Sequence, residues 1–203
     1  MIRNSLRICA LTLAVVAAST FAATANAGSI LALGKTNCGS TAAVFAPWND
    51  PHQYYFTSNG GFESGSAGWT LSGGAQVVSG NEPYFLHSSG DSHSLLLPSG
   101  AVAASPWVCF GSNTPGIRFL AMSPTGSGTV HVRVIARGLL GVVSILDGGT
   151  VQVGSSWAPT TDFGTTFSQL NTALLGANAI QIVITASGNV QLDDLYIDPF
   201  TQY

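Results

Sequence analysis

The residues that could act in nucleophilic catalysis lie together in one short segment. Asp91, Ser92 and His93 are consecutive, and a hydroxyl beside an imidazole is the pairing that activates a serine. We expect Ser92 and His93 to be neighbours on a strand, where successive side chains point to opposite faces, so that they should not share a proton. The last histidine, His131, has no Asp three residues before it and therefore supplies no second catalytic motif. A hydrolase is the least favoured of the functions considered for this sequence.

The carboxylates could serve glycoside hydrolysis, which needs two of them about 5 to 10 Å apart across a sugar. Glu63 and Glu82 are the only glutamates, and Asp193 and Asp194 are adjacent on a predicted strand. Adjacent strand residues should diverge, which argues against a catalytic dyad, although a pair formed only by the fold stays open. The histidines show none of the spacings of a zinc site.

The composition limits the partners of the protein. Only 7% of the residues are charged, the formal net charge is −3, and the chain contains 24 glycines. A negative chain with so few basic residues would not attract nucleic acid, and so low a charge content excludes a coiled coil or a charged disordered tail. The sequence contains no phosphate-binding loop.

The N-terminus has the pattern of an export signal. Arg3 and Arg7 precede the apolar stretch 8–18, and Ala25-Asn26-Ala27 is a small-x-small cleavage site, so residues 1–27 are predicted to be a signal peptide and the protein to be secreted. The apolar stretch is too short for a membrane span, and we expect no span after the signal, because none of the later apolar stretches is long enough. Export leaves Cys38 and Cys109, which we expect to form a disulfide, because neither has the neighbouring His or Cys of a metal site or reactive thiol.

The pattern after residue 58 predicts an all-β fold. Val130, Val132 and Val134 alternate with polar residues, which is typical of a half-buried strand, whereas 117–122 and 180–185 are apolar on both sides and should lie centrally in a sheet. Only 167–175 has helical spacing, and it predicts one short helix. The complete set of predicted strands is 69–71, 76–78, 84–86, 94–97, 117–122, 129–136, 142–146, 180–185 and 190–197.

These short strands, joined by glycine-rich turns, favour an antiparallel two-sheet β-sandwich or jelly roll. We expect three segments: the signal peptide 1–27, an N-terminal extension 28–58 tied down by the disulfide, and the β-sandwich domain 59–203.

Two motifs resemble a known fold family. Asn59-Gly60-Gly61-Phe62-Glu63, followed by Gly68-Trp69, resembles the opening of galactose-binding-like β-sandwiches, the jelly rolls of many carbohydrate-binding modules. The segment 190–199 resembles their last strand. The spacing of Cys38, Phe45-Ala46-Pro47-Trp48 and Cys109 is also similar to that of a group of uncharacterised secreted bacterial proteins, which implies the fold and the cysteine pair but no reaction.

The resemblance implies two kinds of site. Glu63 and Asp194, with Asp91 or backbone carbonyls near Asn59, would hold a structural calcium ion between the first and last strands, unless Glu63 and Asp194 accept backbone N–H groups instead. Aromatic rings near loops would stack on sugars, unless they belong to the core; the candidates are Trp48, Tyr54, Tyr55, Trp107 and Trp157.

The sequence therefore predicts a secreted, non-catalytic domain that binds carbohydrate or another cell-envelope component. The alternative is a structural or protein-interaction β-sandwich without a small ligand. Aromatic residues clustered on a concave face would favour sugar binding, and a flat apolar patch would favour a protein partner.

Overall fold

The structure is a computed structural model that describes residues 38–109, 116–137, 143–163 and 179–199. These residues form twelve strands and a short 3-10 helix, Ala46–Trp48. The strands are β1 Tyr55–Phe56, β2 Thr70–Ser72, β3 Gln76–Ser79, β4 His93–Leu97, β5 Val102–Ala104, β6 Val108–Cys109, β7 Gly116–Met122, β8 Ser127–Arg137, β9 Val143–Gly154, β10 Ala158–Pro159, β11 Ala179–Ser187 and β12 Val190–Asp198. The predicted signal peptide and the predicted helix over 167–175 lie outside the described residues.

The strands form two antiparallel sheets that share one core. The first sheet has the order β10-β7-β12-β4-β3, with β1 also paired to β12, and the second has the order β2-β5-β11-β8-β9, with β6 also paired to β11. Side chains of both sheets meet in one buried cluster, in which Phe119 and Leu95 of the first sheet join Val132 and Ile182 of the second. The predicted all-β, two-sheet antiparallel sandwich is confirmed.

The central strands are those whose sequence is apolar on both faces. β7 lies between β10 and β12, and β11 lies between β5 and β8, as the sequence predicts. In β8 the three alternating valines are fully buried, while His131 is partly exposed and Arg133 is exposed. The alternation of apolar and polar residues therefore predicted this strand correctly, because a sheet with one face in water places alternate side chains in the core.

The N-terminal segment is integrated into the first sheet. β1 pairs with β12, and Phe45, Tyr54 and Tyr196 form a second apolar cluster beside the main core. A disulfide joins Cys38 to Cys109, with 5.4 Å between their Cα atoms. Segment 38–58 is thus held to the sandwich by backbone pairing, apolar packing and a covalent bond.

The predicted strand over 84–86 is wrong. This segment belongs to the loop between β3 and β4, and its backbone is held by a side chain: the Glu82 carboxylate accepts the N–H groups of Tyr84 and Leu86, both at 2.5 Å. Phe85 has φ +50°, a left-handed conformation that a strand does not allow. The backbone N–H groups of this segment therefore donate to the buried Glu82 carboxylate, and not to a neighbouring strand as the apolar pattern suggested.

Within the described ranges, no helix is long and apolar enough to cross a membrane.

Candidate functional site

A bulge in the last strand builds the centre of the site. Asp193 pairs with Leu120 and Tyr196 with Arg118, so two residues of β12, Asp194 and Leu195, stand opposite one residue of β7. Asp194 takes a left-handed backbone conformation, φ +51°. Such a bulge re-aims side chains and frees backbone groups from the ladder.

The freed backbone groups bind the loop after β1. Leu195 donates its N–H to the Gly60 carbonyl at 3.2 Å and accepts the N–H of Thr57 at 3.1 Å. The opening glycine motif and the last strand are therefore neighbours, as the resemblance implies. The turn after β1 and the bulge of β12 make this junction, directly beyond the pairing of β1 with β12.

The bulge also corrects the prediction that Asp193 and Asp194 diverge. A Cβ atom placed on Gly61 would lie 3.0 Å from Asp194 Oδ1 and 3.7 Å from Asp193 Oδ1, so both carboxylates approach the same point. Both residues are completely buried. The left-handed Asp194 interrupts the strand alternation on which the prediction rested.

These carboxylates have few donors. Asp193 accepts the N–H groups of Glu82 at 3.2 Å and Asp194 at 2.9 Å. Asp194 Oδ2 accepts the His87 N–H at 3.0 Å, whereas its buried Oδ1 has no hydrogen-bond partner among the described residues. A buried carboxylate oxygen without a donor is costly unless a cation compensates it.

Burial raises the pKa of both aspartates. The pKa of Asp193 is raised to about 9 by burial and by the neighbouring Asp194 charge, which outweigh its two N–H donors. Burial raises the pKa of Asp194 to about 7; the His87 N–H opposes this shift and the Glu82 charge adds to it. Without a compensating cation, the pair therefore holds protons that ordinary aspartates would have lost.

One group of ligand atoms in the described part of the chain could hold a metal ion. His87, Asp91 and Asp194 each offer an atom, and these atoms all lie within 4.8 Å of one another. His87 Nδ1 lies 2.8 Å from Asp91 Oδ2; the Asp91 side chain is 8% exposed and that of His87 is 39% exposed. The predicted ligands Asp91 and Asp194 are thus brought together, and sequence reasoning missed His87, which no motif marks.

Glu63, the third predicted calcium ligand, has different partners. Its Oε1 accepts the N–H groups of Ser92 and His93, each at 2.7 Å, and its Oε2 lies 3.0 Å from His93 Nδ1. Partial burial raises the pKa of Glu63, but these donors outweigh it and hold the pKa at about 2. In this structure Glu63 therefore accepts backbone N–H groups, which is the alternative to calcium binding that the sequence left open.

Ser92 and His93 do approach each other, contrary to the sequence prediction. Ser92 Oγ lies 3.0 Å from His93 Nδ1, because β4 begins only at His93 and Ser92 belongs to the preceding loop. The Glu63 carboxylate lies at the same ring nitrogen. A catalytic triad places the serine and the acid on opposite nitrogens of the imidazole, so this contact is not a nucleophile–base pair.

A cleft of about 500 Å³ opens beside the carboxylates. Its wall includes Phe56, Gly61, Glu63 and His87. The rings of Phe56 and His87 stack, with centroids 3.8 Å apart and planes 10° apart. The cleft volume lies within the range of small-molecule sites.

The aromatic candidates divide into buried and accessible residues. Tyr54 is 1% exposed and donates its hydroxyl to Asp50 at 2.7 Å. Tyr55 is 8% exposed, and its hydroxyl donates to the Cys109 carbonyl. These two predicted ligand residues are core residues, because neither ring offers a free face to a sugar.

Two of the other candidates are connected by a residue that the sequence analysis missed. Tyr84 lies edge-on to Trp48, with ring centroids 5.0 Å apart, and donates its hydroxyl to the Trp157 carbonyl at 3.1 Å. Tyr84 and Phe85 are about half exposed. We call Trp48, Tyr84, Phe85 and Trp157 the aromatic surface. Trp107, the fifth candidate, is also partly exposed, between β5 and β6.

Comparison with solved structures finds the same fold at low sequence identity. A Clostridium thermocellum xylanase 10B chain with CBM22-1 and GH10 modules, complexed with xylohexaose, matches 71% of this chain with TM-score 0.51 and 16% identity. The enzymatically active domain of tailspike protein 4 from bacteriophage CBA120 matches 71% with TM-score 0.50 and 14% identity. The match covers 29% of the xylanase chain and 21% of the tailspike chain.

The xylan-binding CBM22-2 domain of Paenibacillus barcinonensis Xyn10C matches over 70% of this chain and 98% of its own, with TM-score 0.48 and 15% identity. No protein-family model matches the chain, and no curated protein matches it in sequence. The predicted resemblance to carbohydrate-binding β-sandwich modules is confirmed at the level of fold.

Proposed function

We propose that this protein is a secreted, non-catalytic domain that binds carbohydrate through the aromatic surface. The observation that carries the proposal is the assembly of this surface from three separate chain segments, in which Tyr84 contacts the Trp48 ring and the Trp157 backbone. Exposed aromatic rings are the usual platform for the apolar face of a sugar. The edge-on contact restricts the Trp48 and Tyr84 rings, which therefore lose little conformational freedom on binding.

The fold supports this proposal. The xylanase chain that shares the fold was solved with a bound xylohexaose, and its CBM22-1 module is a carbohydrate-binding module by name. The disulfide between Cys38 and Cys109 suits an oxidising, extracellular compartment. Secretion through a signal peptide over residues 1–27 remains part of the proposal.

The proposal includes a calcium ion beside the aromatic loop. Asp194 and Asp91 would supply oxygen ligands, His87 lies at the same place, and the unpartnered Asp194 Oδ1 fits a cation. The ion would neutralise carboxylates that are otherwise buried together. Because Asp193 and Asp194 accept the N–H groups of Glu82 and His87, the same ion would stabilise the loop over 82–87 that carries Tyr84 and Phe85.

The experiment is a glycan array followed by titration of the retained glycan in the presence of calcium. Trp48→Ala and Tyr84→Ala should each weaken binding by about tenfold or more, which corresponds to about 1.4 kcal/mol. Ile145→Ala is the matched control, because Ile145 is 63% exposed on β9 and lies outside the aromatic surface. Thermal melting of each variant checks folding.

Two results would contradict the proposal. The array could retain no glycan with calcium present, or both aromatic variants could bind the glycan as tightly as the unmodified protein. Equal losses in the Ile145 variant would show that the effect does not belong to the aromatic surface.

A further inference from the structure

Two adjacent aspartates of β12 hold both ends of the loop over 82–87. Asp193 Oδ2 accepts the N–H of Glu82 at 3.2 Å, and Asp194 Oδ2 accepts the N–H of His87 at 3.0 Å. Asp194 and His87 also belong to the group of ligand atoms that could hold a metal ion. The loop therefore begins and ends on the carboxylates of the proposed cation site and its neighbour.

The middle of the loop is held by the side chain of its first residue. Glu82 is fully buried, and its two carboxylate oxygens accept the N–H groups of Tyr84 and Leu86. One carboxylate thus fixes the backbone on both sides of Phe85, which has a left-handed conformation. Such a conformation costs free energy in a residue other than glycine and persists only where surrounding contacts enforce it. Glu82 therefore holds the backbone that carries Tyr84 and Phe85, two members of the aromatic surface.

Tyr84 connects this loop to the rest of the aromatic surface. Its ring lies edge-on to the Trp48 ring, with centroids 5.0 Å apart, and its hydroxyl donates to the Trp157 carbonyl at 3.1 Å. Trp48 also packs against the buried Phe45, with ring centroids 6.2 Å apart. A displaced loop would take Tyr84 away from Trp48 while Phe45 still held the Trp48 ring. The aromatic surface is therefore complete only while the loop keeps this conformation.

The carboxylates that hold the loop need a compensating charge. Glu82, Asp193 and Asp194 are all fully buried, and ionised carboxylates that share a buried site repel one another. Asp194 Oδ1 has no hydrogen-bond partner among the described residues. A divalent ion bound by Asp194 and Asp91 would offset the repulsion and so favour the conformation in which these carboxylates lie together. A ligand that binds one conformation better shifts the population toward it.

We propose that calcium controls sugar binding from a distance, with Glu82 as the positioning residue between the cation site and the aromatic surface. The ion would stabilise the loop over 82–87, and Glu82 would then hold Tyr84 against Trp48, so that the glycan meets a complete surface. The ion itself would not touch the glycan. This inference rests on the proposed sugar and cation sites and specifies how one regulates the other.

The first test measures amide hydrogen exchange in the unmodified protein, with calcium and with EDTA. The N–H groups of Tyr84 and Leu86 should exchange about tenfold more slowly with calcium, because the ion opposes local opening of the loop. The N–H of Gly126 is the reference, since it donates to the Ser123 carbonyl at 3.0 Å in the exposed turn between β7 and β8. Unchanged exchange in the loop, or equal slowing at Gly126, would overturn the inference.

The second test titrates the glycan retained by the array, in saturating calcium and in EDTA. The unmodified protein should bind it about tenfold more tightly with calcium. Glu82→Gln keeps the size of the side chain but replaces one acceptor oxygen by an N–H donor, so it cannot accept both loop N–H groups. This variant should still bind calcium, and its affinity for the glycan should differ little between calcium and EDTA.

Asp147→Asn is the matched control for this titration. Asp147 also accepts a backbone N–H, that of Gly149 at 2.8 Å, but it lies on β9 of the second sheet. This variant should keep the full effect of calcium on glycan binding. A Glu82 variant that keeps the same effect would overturn the role of Glu82. Thermal melting checks folding, and the exchange measurement decides the question if Glu82→Gln does not fold.

Each failure has its own signature. If the array retains no glycan with calcium present, the proposed function is wrong, and if the unmodified protein binds no calcium, the proposed cation site is wrong. This inference falls in either case. If the protein binds both calcium and the glycan, but with equal glycan affinity in calcium and in EDTA, only this inference is overturned.

Discussion

A buried guanidinium fastens the N-terminal segment to the first sheet. Arg118 projects from β7, pairs through Nη1 with Asp50, and donates its Nε–H to the Thr160 carbonyl at 2.9 Å. It also lies over the Phe45 ring, with Cζ 4.7 Å from the ring centroid. The side chains of Arg118 and Asp50 are both 11% exposed, so the pair is largely removed from water.

Arg118→Ala should lower the free energy of unfolding by about 3 kcal/mol, because the largely buried Asp50 carboxylate would keep the Tyr54 hydroxyl but lose its only permanently cationic partner among the described residues. Urea denaturation measures the change. Arg133→Ala on β8 is the control, since Arg133 is exposed and its loss should cost no more than about 0.5 kcal/mol. Equal stabilities of the two variants would show that the Arg118–Asp50 pair contributes nothing.

Residue types predicted part of the site, and their partners determined the rest. Asp91 and Asp194 were selected by resemblance, and the structure brings them together with His87. Tyr54 and Tyr55 were candidates because they lie near turns, but both hydroxyls are satisfied internally. A tyrosine in a core and one on a surface look alike in sequence, because the difference lies in which groups the fold brings to the hydroxyl.

At the scale of elements, the junction between β12 and the loop after β1 carries the site. It depends on the close approach of Gly60 to Leu195: a Cβ at Gly60 would lie 2.8 Å from the Leu195 carbonyl oxygen and 2.5 Å from Thr57 Oγ1. Thr57 Oγ1 donates to that same carbonyl at 2.9 Å. Glycine is therefore required at position 60, because the backbone of the bulged strand β12 leaves no room there for a side chain.

Gly60→Ala should destabilise the protein by about 2 kcal/mol, since overpacking against backbone forces the junction apart. It should also weaken calcium binding, because Leu195 follows Asp194. Gly154→Ala at the end of β9 is the matched control, with nothing within 4 Å of the new Cβ. Thermal melting with and without calcium distinguishes the two; a Gly60 variant as stable as the Gly154 variant would contradict the argument.

The elements themselves were predictable where a periodic pattern and a sheet face agree. β8 alternates between apolar and polar residues along the sequence because one of its faces meets the core, whereas β11 is apolar on both faces because it lies inside its sheet. The bulge in β12 was not predictable, since the extra residue is defined only by the register in which β12 pairs with β7. The loop over 82–87 was missed for a similar reason, because the side chain of Glu82, not a local turn motif, holds it.

For the molecule as a whole, cation binding and folding should be linked through the buried carboxylates. In the cation-free protein, the pKa values of Asp193 and Asp194 lie above the ordinary value of 3.8. The folded state therefore binds more protons than the unfolded state from about pH 4 to about pH 9, and the free energy of unfolding falls as pH rises through this window. The charges of Glu82 and Asp91 act in the same direction, and His87 opposes them.

In EDTA, the melting temperature should fall by at least about 5 °C between pH 5 and pH 8, a change that corresponds to a loss of a few kcal/mol in a chain of this length. Saturating calcium should remove most of this fall, because the ion stabilises the ionised carboxylates and so binds more tightly as pH rises. Asp194→Asn, which removes one buried charge and a ligand, should melt with a weaker dependence on pH in EDTA and respond little to calcium. If the melting temperature fell by the same amount between pH 5 and pH 8 with and without calcium, these carboxylates would bind no cation. The pH dependence would then belong to other groups of the fold.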